Sequence, residues 1–471
     1  MAITLETLTV ARASASLAQG ELSARELAEA YLSRVSEKDS NLHAYLEVFD
    51  DVLEQASRVD ERRKKGEKLH ALAGIPMAVK DNILIKGRKV SSASKILEGY
   101  QASYDATVIQ KLKEAGVVFL GRTNMDEFAM GGSTENSAFG PTKNPHDTSK
   151  VPGGSSGGSA VSVAANLALA ALGSDTGGSI RQPAAFCGVV GLKPSYGRVS
   201  RSGLMAMASS LDQIGPFTKT VEDSQLLFEA IIGRDPLDST SVDPLRVAVQ
   251  EKTPQVIGVP RHFLEKGVDA EVLAQFEKTL SDLRAKGYEI RDITLPTIEH
   301  SLAVYYILMP AEVSTNLARF DGVRFGLHVD GADLLADYMK TRGTGFGREV
   351  KRRIILGTYV LSAGYYDAYY RKACAMRSSI RRDFETAFAS VDAIAIPTTP
   401  SPAFTLGEKT ADPLTMYLED IFTVPANIAE LPAISIPSGK TKGGLPIGFQ
   451  LIAPYFSEST LFTIGKNINV G

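Results

Sequence analysis

Apolar and polar positions along the first 65 residues repeat with the period of α-helices. Ser23 and Glu26 match a capping box, and the apolar residues after them line one face, which predicts a helical hairpin over residues 4–37. A third helix is predicted over Asp51–Lys65, whose basic end suits the negative pole of a helix dipole. We interpret this N-terminal part of the chain as a helical packing layer.

From Leu72 onwards, short apolar segments alternate with helical patterns. Such alternation is typical of an α/β fold in which helices cover both faces of a β-sheet. Strands are predicted at 75–80, 117–120, 256–259, 393–396 and 433–436, and helices at 108–114 and 270–286. We expect a proline to close each of the last two strands.

Residues 300–390 depart from this alternation, because their pattern is mostly helical with few strand signals. Within them, Phe346–Phe388 could hold one very long or kinked helix. We interpret 300–390 as a helical insertion in a single domain, since no Pro/Gly/Ser-rich linker, internal repeat or low-complexity tract divides the chain. The predicted parts are an N-terminal helical layer (1–66), a core (67–299), the insertion (300–390) and a return to the sheet (391–471).

Composition and charge exclude several classes of protein. The 471 residues carry 51 Lys and Arg against 54 Asp and Glu, a net charge of −3, so no overall basic field recruits nucleic acid. Any RNA contact would need a partner or a local patch. Two cysteines, Cys187 and Cys374, argue against a disulfide framework or a structural zinc site. Because the sequence has neither a basic leader nor a run of about 18 apolar residues, we expect a soluble, cytoplasmic protein.

Two glycine-flanked serine turns, Pro152–Ala160 and Asp175–Arg181, bracket one apolar segment. Turns of this kind expose hydroxyl groups beside free backbone N–H groups, which predicts hydroxyl chemistry at an anion-binding turn. Neither turn matches the Gly-x-x-x-x-Gly-Lys-Ser/Thr or Gly-x-Gly-x-x-Gly pattern, so nucleotide binding has weak support. A flexible linker is also disfavoured, because the turns lie between strand-like and helix-like apolar segments.

The serines could be activated by a histidine. Residues 153–157 formally match the Gly-x-Ser-x-Gly nucleophile elbow, which needs a histidine base later in the chain. The three that follow, His262, His300 and His328, have no neighbourhood that marks any of them as a base.

The alternative base is a lysine, which can act only if burial lowers its pKa from about 10.4 to about 7. Lys80 is suitably placed, because it ends the apolar run 75–79 and strand alternation directs Asp81 to the opposite face. Most lysines are solvated surface charges, so the prediction that Lys80 is a base depends on the motifs that accompany it.

Several separate blocks, in order and spacing, resemble the amidase signature family. These blocks are Lys80, 153–159, 173–184, 187–194 and 211–216. The resemblance implies an α/β fold with a central mixed β-sheet covered by helices on both faces. It also implies a Ser–cis-Ser–Lys triad in which Ser179 is the acyl-forming nucleophile, Ser155 the relay and Lys80 the base, with a cis Gly154–Ser155 peptide bond.

The same resemblance assigns an oxyanion hole to four consecutive backbone N–H groups, those of Thr176, Gly177, Gly178 and Ser179. Glycines let the backbone approach the reacting carbonyl, and the helix that follows points its positive end at the developing charge. We interpret Asp175 and Arg181, which flank the turn, as a structural charge pair. Cys187 lies in an apolar context, so we expect a buried, unreactive thiol.

Further blocks resemble one branch of that family, the glutaminase components of bacterial aminoacyl-tRNA amidotransferases. They lie at 123–131, 316–326, 345–354, 364–370 and 416–427, so the resemblance covers nearly the whole chain. It implies an enzyme that hydrolyses glutamine to glutamate and ammonia and holds no cofactor. The ammonia passes to a partner that uses ATP and Mg²⁺ to convert Glu-tRNA(Gln) to Gln-tRNA(Gln), and often Asp-tRNA(Asn) to Asn-tRNA(Asn). Two partners are implied in a heterotrimer: a B subunit, which is a kinase and binds tRNA, and a small C subunit.

A free glutamine is a zwitterion, which needs a cation for its α-carboxylate and an anion for its α-ammonium. The resemblance assigns these roles to Arg353 and Asp420. Two alternatives stay open. Arg353 could belong to a solvated helix face with Lys351 and Arg352, and Glu419 could replace Asp420.

Two other functions stay open at this stage. A stand-alone hydrolase of small or aryl amides would share the triad without needing Arg353 and Asp420. A scaffold protein of the complex would keep a vestigial triad, although an intact set of Lys80, Ser155 and Ser179 argues against it. The chain ends at 471, where members of the family usually continue the last helix with a charged tail. We expect this difference to affect partner contacts at that edge and not the catalytic core.

Overall fold

An eleven-stranded β-sheet forms the centre of the computed structural model, which describes residues 4–243, 247, 253–265 and 267–468. The last three residues of the chain, 469–471, lie outside the described part. In chain order, the strands are β1 Tyr45–Val48, β2 Pro76–Lys80, β3 Val118–Thr123, β4 Ala170–Asp175, β5 Val190–Lys193, β6 Gln213–Thr218, β7 Val256–Val259, β8 Glu289–Asp292, β9 Ala393–Pro397, β10 Ala433–Lys440 and β11 Pro446–Ile452.

The sheet is mixed, with the strand order β1-β3-β2-β4-β6-β5-β10-β11-β9-β7-β8. Strand β2 pairs in parallel with β3 and β4, and β7 pairs in parallel with β8 and β9. The remaining pairs are antiparallel. Every residue of β2, β4 and β6 is buried, as expected of strands that are covered on both faces. The predicted α/β fold with a central mixed sheet is confirmed.

Helices cover both faces of the sheet. They are α1 Val10–Gln19, α2 Ala24–Leu42, α3 Val52–Lys64, α4 Thr107–Glu114, α5 Gly157–Ala164, α6 Arg181–Cys187, α7 Val221–Ile231, α8 Ala270–Ala285, α9 Ser301–Asn316, α10 Leu334–Gly345, α11 Arg348–Val360, α12 Lys372–Phe388, α13 Pro413–Tyr417, α14 Val424–Ile428 and α15 Glu458–Gly465. None of the helices in the described part of the chain has the length and apolarity needed to cross a membrane.

Helices α1, α2 and α3 lie in the N-terminal part of the chain, which we predicted to form a helical layer. Ser23 caps α2 through a capping box, because its Oγ accepts from the Glu26 N–H at 3.1 Å and its own N–H donates to the Glu26 carboxylate at 2.9 Å. The apolar faces of α1, α2 and α3 pack with the strands at the β1 end of the sheet in one hydrophobic cluster, which includes Leu27 and Val79. This layer therefore supports the strand that ends in Lys80.

Two details of the C-terminal half differ from expectation. Phe346–Phe388 is not one helix, because Gly364 adopts a left-handed φ of +86° and a π-helical turn, Tyr366–Arg371, separates α11 from α12. Strand β9 ends at Pro397, but β10 continues past Pro437 to Lys440 because a register shift between Pro437 and Gly439 accommodates the proline.

Strands β2 and β4 bring Lys80 and the second serine turn to the same region of the molecule. They are parallel neighbours, so their C-terminal ends meet at the same edge of the sheet. Lys80 is the last residue of β2, and the second serine turn begins at Asp175, the last residue of β4. The first serine turn leads directly into α5, which packs against the same strands.

Candidate active site

The two serine turns and Lys80 meet at the C-terminal ends of β2 and β4. Lys80 Nζ donates a hydrogen bond of 2.8 Å to Ser155 Oγ, and both side chains are completely buried. The Gly154–Ser155 peptide bond is cis, as the resemblance implied. The two turns are joined directly, because the Ser156 N–H donates to the Ser179 carbonyl at 3.2 Å.

Burial controls the charge of Lys80. It lowers the pKa of the amine from its ordinary value to about 7, against the opposing effect of three buried carboxylates, Asp126, Asp175 and Asp212. Nζ also donates to Ser174 Oγ at 2.9 Å. A lysine with a pKa of about 7 has a substantial neutral fraction near neutral pH, and a neutral amine can accept a proton from Ser155.

Ser179 lies on the loop between β4 and α6. The residue is 8 % exposed, whereas Ser155 and Lys80 are not exposed at all. Among the three predicted triad residues, Ser179 is therefore the one that a substrate entering from solvent can reach. This arrangement is what a nucleophile in front of a buried relay and base requires.

The four N–H groups predicted for the oxyanion hole differ in availability. The Gly178 N–H donates to Asp175 Oδ1 at 2.9 Å, so it is already engaged with the protein. Within the described residues, the N–H groups of Thr176, Gly177 and Ser179 donate to no other group. The prediction is therefore narrowed to these three, because a donor held by a buried carboxylate is not free to turn towards an oxyanion.

Both glycines of this turn are required by their surroundings. A Cβ on Gly178 would lie 2.2 Å from Thr423 Oγ1, and the φ of Gly178 is +144°, which side-chain-bearing residues rarely adopt. A Cβ on Gly177 would lie 2.6 Å from the ring of Tyr305. The turn is thus in close contact with α9 and with the segment around Thr423.

Asp175 and Arg181 form the structural charge pair predicted from the sequence. Both side chains are completely buried, and the guanidinium donates to the carboxylate at 3.0 Å. Burial raises the pKa of Asp175, but Arg181 more than offsets this and holds it at about 2. Arg181 also donates to the Thr423 carbonyl at 2.7 Å and to Gln450 Oε1 at 2.6 Å. The pair therefore anchors the nucleophile turn to the C-terminal part of the chain.

Arg353 lies over the ring of Tyr306, and Asp420 lies at the hydroxyl of the same residue. The Arg353 guanidinium carbon is 5.6 Å from the centre of the Tyr306 ring, and the Tyr306 hydroxyl donates to Asp420 Oδ2 at 3.2 Å. Arg353 is only 4 % exposed and pairs with Glu349 at 2.8 Å, so it does not belong to a solvated helix face. The Tyr417 ring stacks on Tyr306 with 4.0 Å between centroids. A cation and an anion are thus held close together, as a zwitterion requires.

Of the two neighbouring carboxylates, Asp420 and not Glu419 faces this ring. Glu419 is buried in an ion pair with Lys409 and accepts a hydrogen bond of 3.0 Å from Ser401 Oγ. Asp420 is partly buried and contacts Tyr306. Burial raises the pKa of Asp420 to about 7, although Arg353 opposes the shift.

Helix α9 connects the Arg353–Asp420 pair to the nucleophile turn. Tyr305, next to Tyr306, packs its ring against Gly177. A second connection runs through Thr423, which lies three residues after Asp420 in the chain. Its Oγ1 donates to the Gly177 carbonyl at 2.6 Å. Arg353 also lines a cleft together with Gly131, Ser133, Arg352 and Tyr417, among others.

The histidine and cysteine alternatives do not reach the site. His262 contacts the Leu295 carbonyl and His328 contacts Asp330, and no histidine hydrogen bond to Ser155 or Ser179 occurs among the described residues. Cys187 is buried, its thiol donates to the Pro152 carbonyl at 3.3 Å, and burial raises its pKa. Groups of three or more potential metal ligands from His, Cys, Asp and Glu are absent from the described part of the chain.

Four residues of the site were missed by sequence reasoning: Ser174, Asp126, Asp212 and Tyr306. Ser174 could have been found, because it precedes Asp175 in the block 173–184 that the resemblance already included. Asp212 accepts a hydrogen bond of 2.7 Å from the Thr176 hydroxyl and lies in a block that the resemblance already included. Nothing in the sequence marks Tyr306, whose role depends on the packing of α9.

The chain matches known proteins over nearly its full length. The protein-family model described as Amidase matches residues 26–462. A relative from Koribacter versatilis (strain Ellin345), named as the A subunit of glutamyl-tRNA(Gln) amidotransferase, is 51 % identical over 474 residues, which cover 98 % of each chain. A relative of the same name from Moorella thermoacetica is 54 % identical over 460 residues, covering 96 % of this chain and 94 % of the relative.

Solved structures share the fold. The crystal structure of the A subunit of glutamyl-tRNA(Gln) amidotransferase from Thermotoga maritima matches with a TM-score of 0.83 and 43 % identity, over 99 % of this chain and 95 % of that one. The native peptide amidase from Stenotrophomonas maltophilia matches with a TM-score of 0.80 and 29 % identity, over 99 % of this chain and 97 % of that one. The same backbone thus occurs in one component of a larger enzyme and in a peptide amidase.

Proposed function

Since this chain belongs to the amidase family, as its sequence motifs predicted, we propose that it is the glutamine-hydrolysing component of a tRNA-dependent amidotransferase. The observation that carries this proposal is the placement of Arg353 and Asp420 around the Tyr306 ring, next to the serine turns. A buried cation beside an anion suits the α-carboxylate and α-ammonium of free glutamine. A hydrolase of neutral amides has no use for such a pair.

The acylation step uses the two serines and the lysine. Neutral Lys80 takes the proton of Ser155, which in turn takes the proton of Ser179 as Ser179 Oγ attacks the side-chain carbonyl of glutamine. The tetrahedral intermediate collapses when the same relay returns a proton to the leaving nitrogen. The C–N bond breaks, ammonia leaves, and a glutamyl ester remains on Ser179.

The deacylation step runs through the same groups. Water loses a proton to the Ser155–Lys80 pair, attacks the ester carbonyl and releases glutamate, and the proton returns to Ser179. In both steps the N–H groups of Thr176, Gly177 and Ser179 stabilise the oxyanion. A donor of this kind contributes about 3–4 kcal/mol to the transition state.

The Arg353–Asp420 pair positions glutamine for this attack. Arg353 binds the α-carboxylate, which it can approach with a bidentate pair of N–H groups, and Asp420 binds the α-ammonium. The contacts of Tyr305 and Thr423 with Gly177 fix the distance between this pair and the oxyanion donors. The distance selects a substrate whose amide lies at the end of a glutamine-length side chain.

An exposed apolar surface on α11 and the turn after it supports a multi-subunit enzyme. We call this surface the tyrosine face, and it comprises Ile355, Leu356, Tyr359, Tyr365, Tyr366 and Tyr369. Three of its rings pack together, with 4.2 Å between the centroids of Tyr359 and Tyr365 and 6.1 Å between those of Tyr365 and Tyr369. Exposed clusters of tyrosine and aliphatic side chains mark protein-binding surfaces.

The occupant we assign to the tyrosine face is another protein of the amidotransferase. Helix α11 carries Arg353 on its buried side and Ile355 and Tyr359 on its exposed side. A partner bound to the exposed side is therefore one helix thickness from the Arg353–Asp420 pair. The partners in this proposal are a B subunit, which uses ATP and Mg²⁺ to activate Glu-tRNA(Gln) and accepts the ammonia, and a small C subunit. We place the complex in the cytoplasm, with Asp-tRNA(Asn) as a second acceptor where the B subunit binds it.

Co-purification with the native partner subunits, followed by glutamine-dependent transamidation of both misacylated tRNAs, tests this function. We expect amidation of Glu-tRNA(Gln) with L-glutamine as nitrogen donor. We also expect glutamine hydrolysis that depends on the partners. A stand-alone amidase would instead hydrolyse small or aryl amides without regard to the partners, and that result would reject the proposal.

A further inference from the structure

A completely buried carboxylate, Asp126, lies beside the first serine turn and takes no part in the acyl chemistry described above. It belongs to the loop that follows β3. Unlike Asp175, which pairs with Arg181, Asp126 forms no salt bridge with any residue that the structure describes. An unpaired buried carboxylate destabilises a fold unless hydrogen bonds or a nearby cation compensate for it, so its retention calls for a physical reason.

The carboxylate and the N–H of Asp126 bind the first serine turn and the loop that holds it. Its N–H donates to the Ser155 carbonyl at 3.1 Å. Its Oδ2 accepts the Thr134 N–H at 2.8 Å, and its Oδ1 accepts the Asn136 N–H at 3.1 Å. One residue therefore contacts the backbone of Ser155 and fixes the neighbouring loop at two points.

That loop in turn clamps the serine turn through Thr134. The Thr134 hydroxyl donates to the Gly153 carbonyl at 2.8 Å and accepts the Gly157 N–H at 3.1 Å. These two contacts lie on either side of Ser155. The position of the Ser155 hydroxyl is thus set by a chain of contacts that begins at the Asp126 carboxylate.

Two glycines make room for this carboxylate. A Cβ on Gly154 would lie 2.1 Å from Asp126 Oδ2, and a Cβ on Gly131 would lie 2.3 Å from its Cγ and Oδ1. Neither glycine has a left-handed φ. The close approach of the carboxylate, rather than a backbone conformation, therefore explains why a side chain at either position would not fit.

Asp126 and Lys80 also interact as charges. Of the carboxylates that oppose the effect of burial on the pKa of Lys80, which are Asp126, Asp175 and Asp212, Asp126 has the largest effect. Burial raises the pKa of Asp126 itself to about 6, against its two backbone N–H donors and Lys80, while Glu135 adds to the rise. Above this pKa, a negative charge stands beside the amine of the triad.

We propose that Asp126 is a positioning residue for the Ser155–Lys80 pair, one that holds the first serine turn through its hydrogen bonds and supplies a buried negative charge beside Lys80. The inference rests on the serine chemistry of the proposed function. The hydrogen bonds set where the relay hydroxyl lies. The charge stabilises the protonated amine, which is the form of Lys80 at the moment after it has taken the proton from Ser155.

The test is the rate at which a fluorophosphonate labels Ser179 in the purified full-length chain, measured as a function of pH. Labelling needs the same activated serine as acylation, but it needs neither glutamine nor a partner protein. In Asp126→Asn we expect the maximal labelling rate to fall by about tenfold or more, because the two backbone N–H groups donate to different carboxylate oxygens and the amide replaces one of these with an NH2 group, which cannot accept. We expect the midpoint of the pH profile to move down by about one pH unit, because removal of a nearby negative charge favours the neutral amine.

Two control variants separate position from charge. Thr134→Val removes the clamp and keeps the carboxylate, so it should lower the labelling rate with the midpoint unmoved. Asp223 is also buried and accepts two backbone N–H groups, from Val10 at 3.0 Å and Ala11 at 2.9 Å, but Lys80 is not among the groups that shift its pKa. Asp223→Asn should therefore leave both the rate and the midpoint unchanged.

The outcomes distinguish this inference from the proposed function. If Ser179 of the wild-type chain is not labelled at any pH, the serine chemistry fails and the inference falls with it. If the wild type is labelled and Asp126→Asn has an unchanged midpoint, Asp126 is merely structural and only this inference is overturned. Should Asp126→Asn not fold, Gly131→Ala displaces the carboxylate without removing its charge, and an unchanged labelling rate in that variant overturns the inference equally.

Discussion

The Lys80 side-chain nitrogen lies 2.8 Å from Ser155 Oγ at the point where two parallel strands end side by side. Strand β2 delivers the lysine, and the turn before α5 delivers the serine, so neither position depends on a long flexible loop. The Ser179 carbonyl accepts the Ser156 N–H, and Ser179 is more accessible than either Lys80 or Ser155. The geometry separates a buried proton-transfer pair from a reachable hydroxyl.

The pH dependence of catalysis should report the charge of Lys80. In the proposed mechanism the neutral amine is the active form, and its pKa is about 7, so kcat at saturating glutamine should rise as the pH increases through about 7. Lys80→Met should remove this limb and lower kcat by more than about a thousandfold. A wild-type profile that stays flat down to about pH 5, below the range of a shifted lysine, would argue for another base.

Arg353 should act on substrate binding rather than on the reactivity of Ser179. Arg353→Met removes the cation for the α-carboxylate, and the KM for glutamine should rise by about 10- to 100-fold, the range for a hydrogen bond to a charged group. The rate of fluorophosphonate labelling should change little. Arg352→Met is a matched control, because Arg352 pairs with the same Glu349 but is 35 % exposed. An equal rise in KM for both variants would show that only the electrostatics of Glu349 matter.

Asp420 and Glu419 should differ sharply although they are neighbours. Asp420→Asn should raise the KM for glutamine, whereas Glu419→Gln should leave it nearly unchanged, since Glu419 is held by Lys409 and Ser401. The pKa of Asp420 is about 7 before glutamine binds, so the deprotonated form that attracts an ammonium group gains population as the pH rises. The wild-type KM should therefore fall as the pH increases through about 7, and Asp420→Asn should lose this dependence. The reverse ranking of the two variants would assign the ammonium to Glu419.

Sequence motifs predicted the parts of the site that depend on local turns. Lys80, Ser155 and Ser179 lie in short blocks with glycines, and those glycines are needed because neighbouring groups occupy the space of a side chain, as Thr423 does beside Gly178. The Asp175–Arg181 pair was predicted for the same reason, since it spans a single turn. Gly178 was included in the predicted oxyanion hole because the sequence does not reveal that Asp175 Oδ1 accepts its N–H.

Features that depend on packing between distant segments were not predicted. Strand β6, Gln213–Thr218, was missed because Gly215 and Pro216 weaken its strand signal, yet it lies in the middle of the sheet between β4 and β5. Tyr306 joins Arg353 to Asp420 only because α9 packs against both of their segments. The break between α11 and α12 at Gly364 could have been expected, since a glycine after an amphipathic run is a common helix end.

The tyrosine face should govern assembly with the partner. Ile355 is 69 % exposed on the outer side of α11, so Ile355→Asp should not affect the Tm of the isolated chain. A buried, unpaired carboxylate at an interface should weaken association by at least about tenfold in sedimentation or light-scattering measurements. Leu237→Asp is the control, because Leu237 is 74 % exposed in a different part of the chain. Unchanged association of Ile355→Asp would place the partner elsewhere. Self-association of the wild type that Ile355→Asp abolishes would assign the face to a second copy of this chain.

Glutamine hydrolysis by the assembled complex, compared between the wild-type chain and Ser179→Ala, tests the central claim most directly. The substitution removes one oxygen from a residue that is 8 % exposed and leaves the Asp175–Arg181 anchor of its turn in place, so assembly should be unaffected. We predict that release of glutamate and ammonia falls by more than about a thousandfold, as for other nucleophiles that act as part of a catalytic unit. Near-normal glutamine turnover in the Ser179→Ala complex would contradict the assignment of Ser179 as the nucleophile.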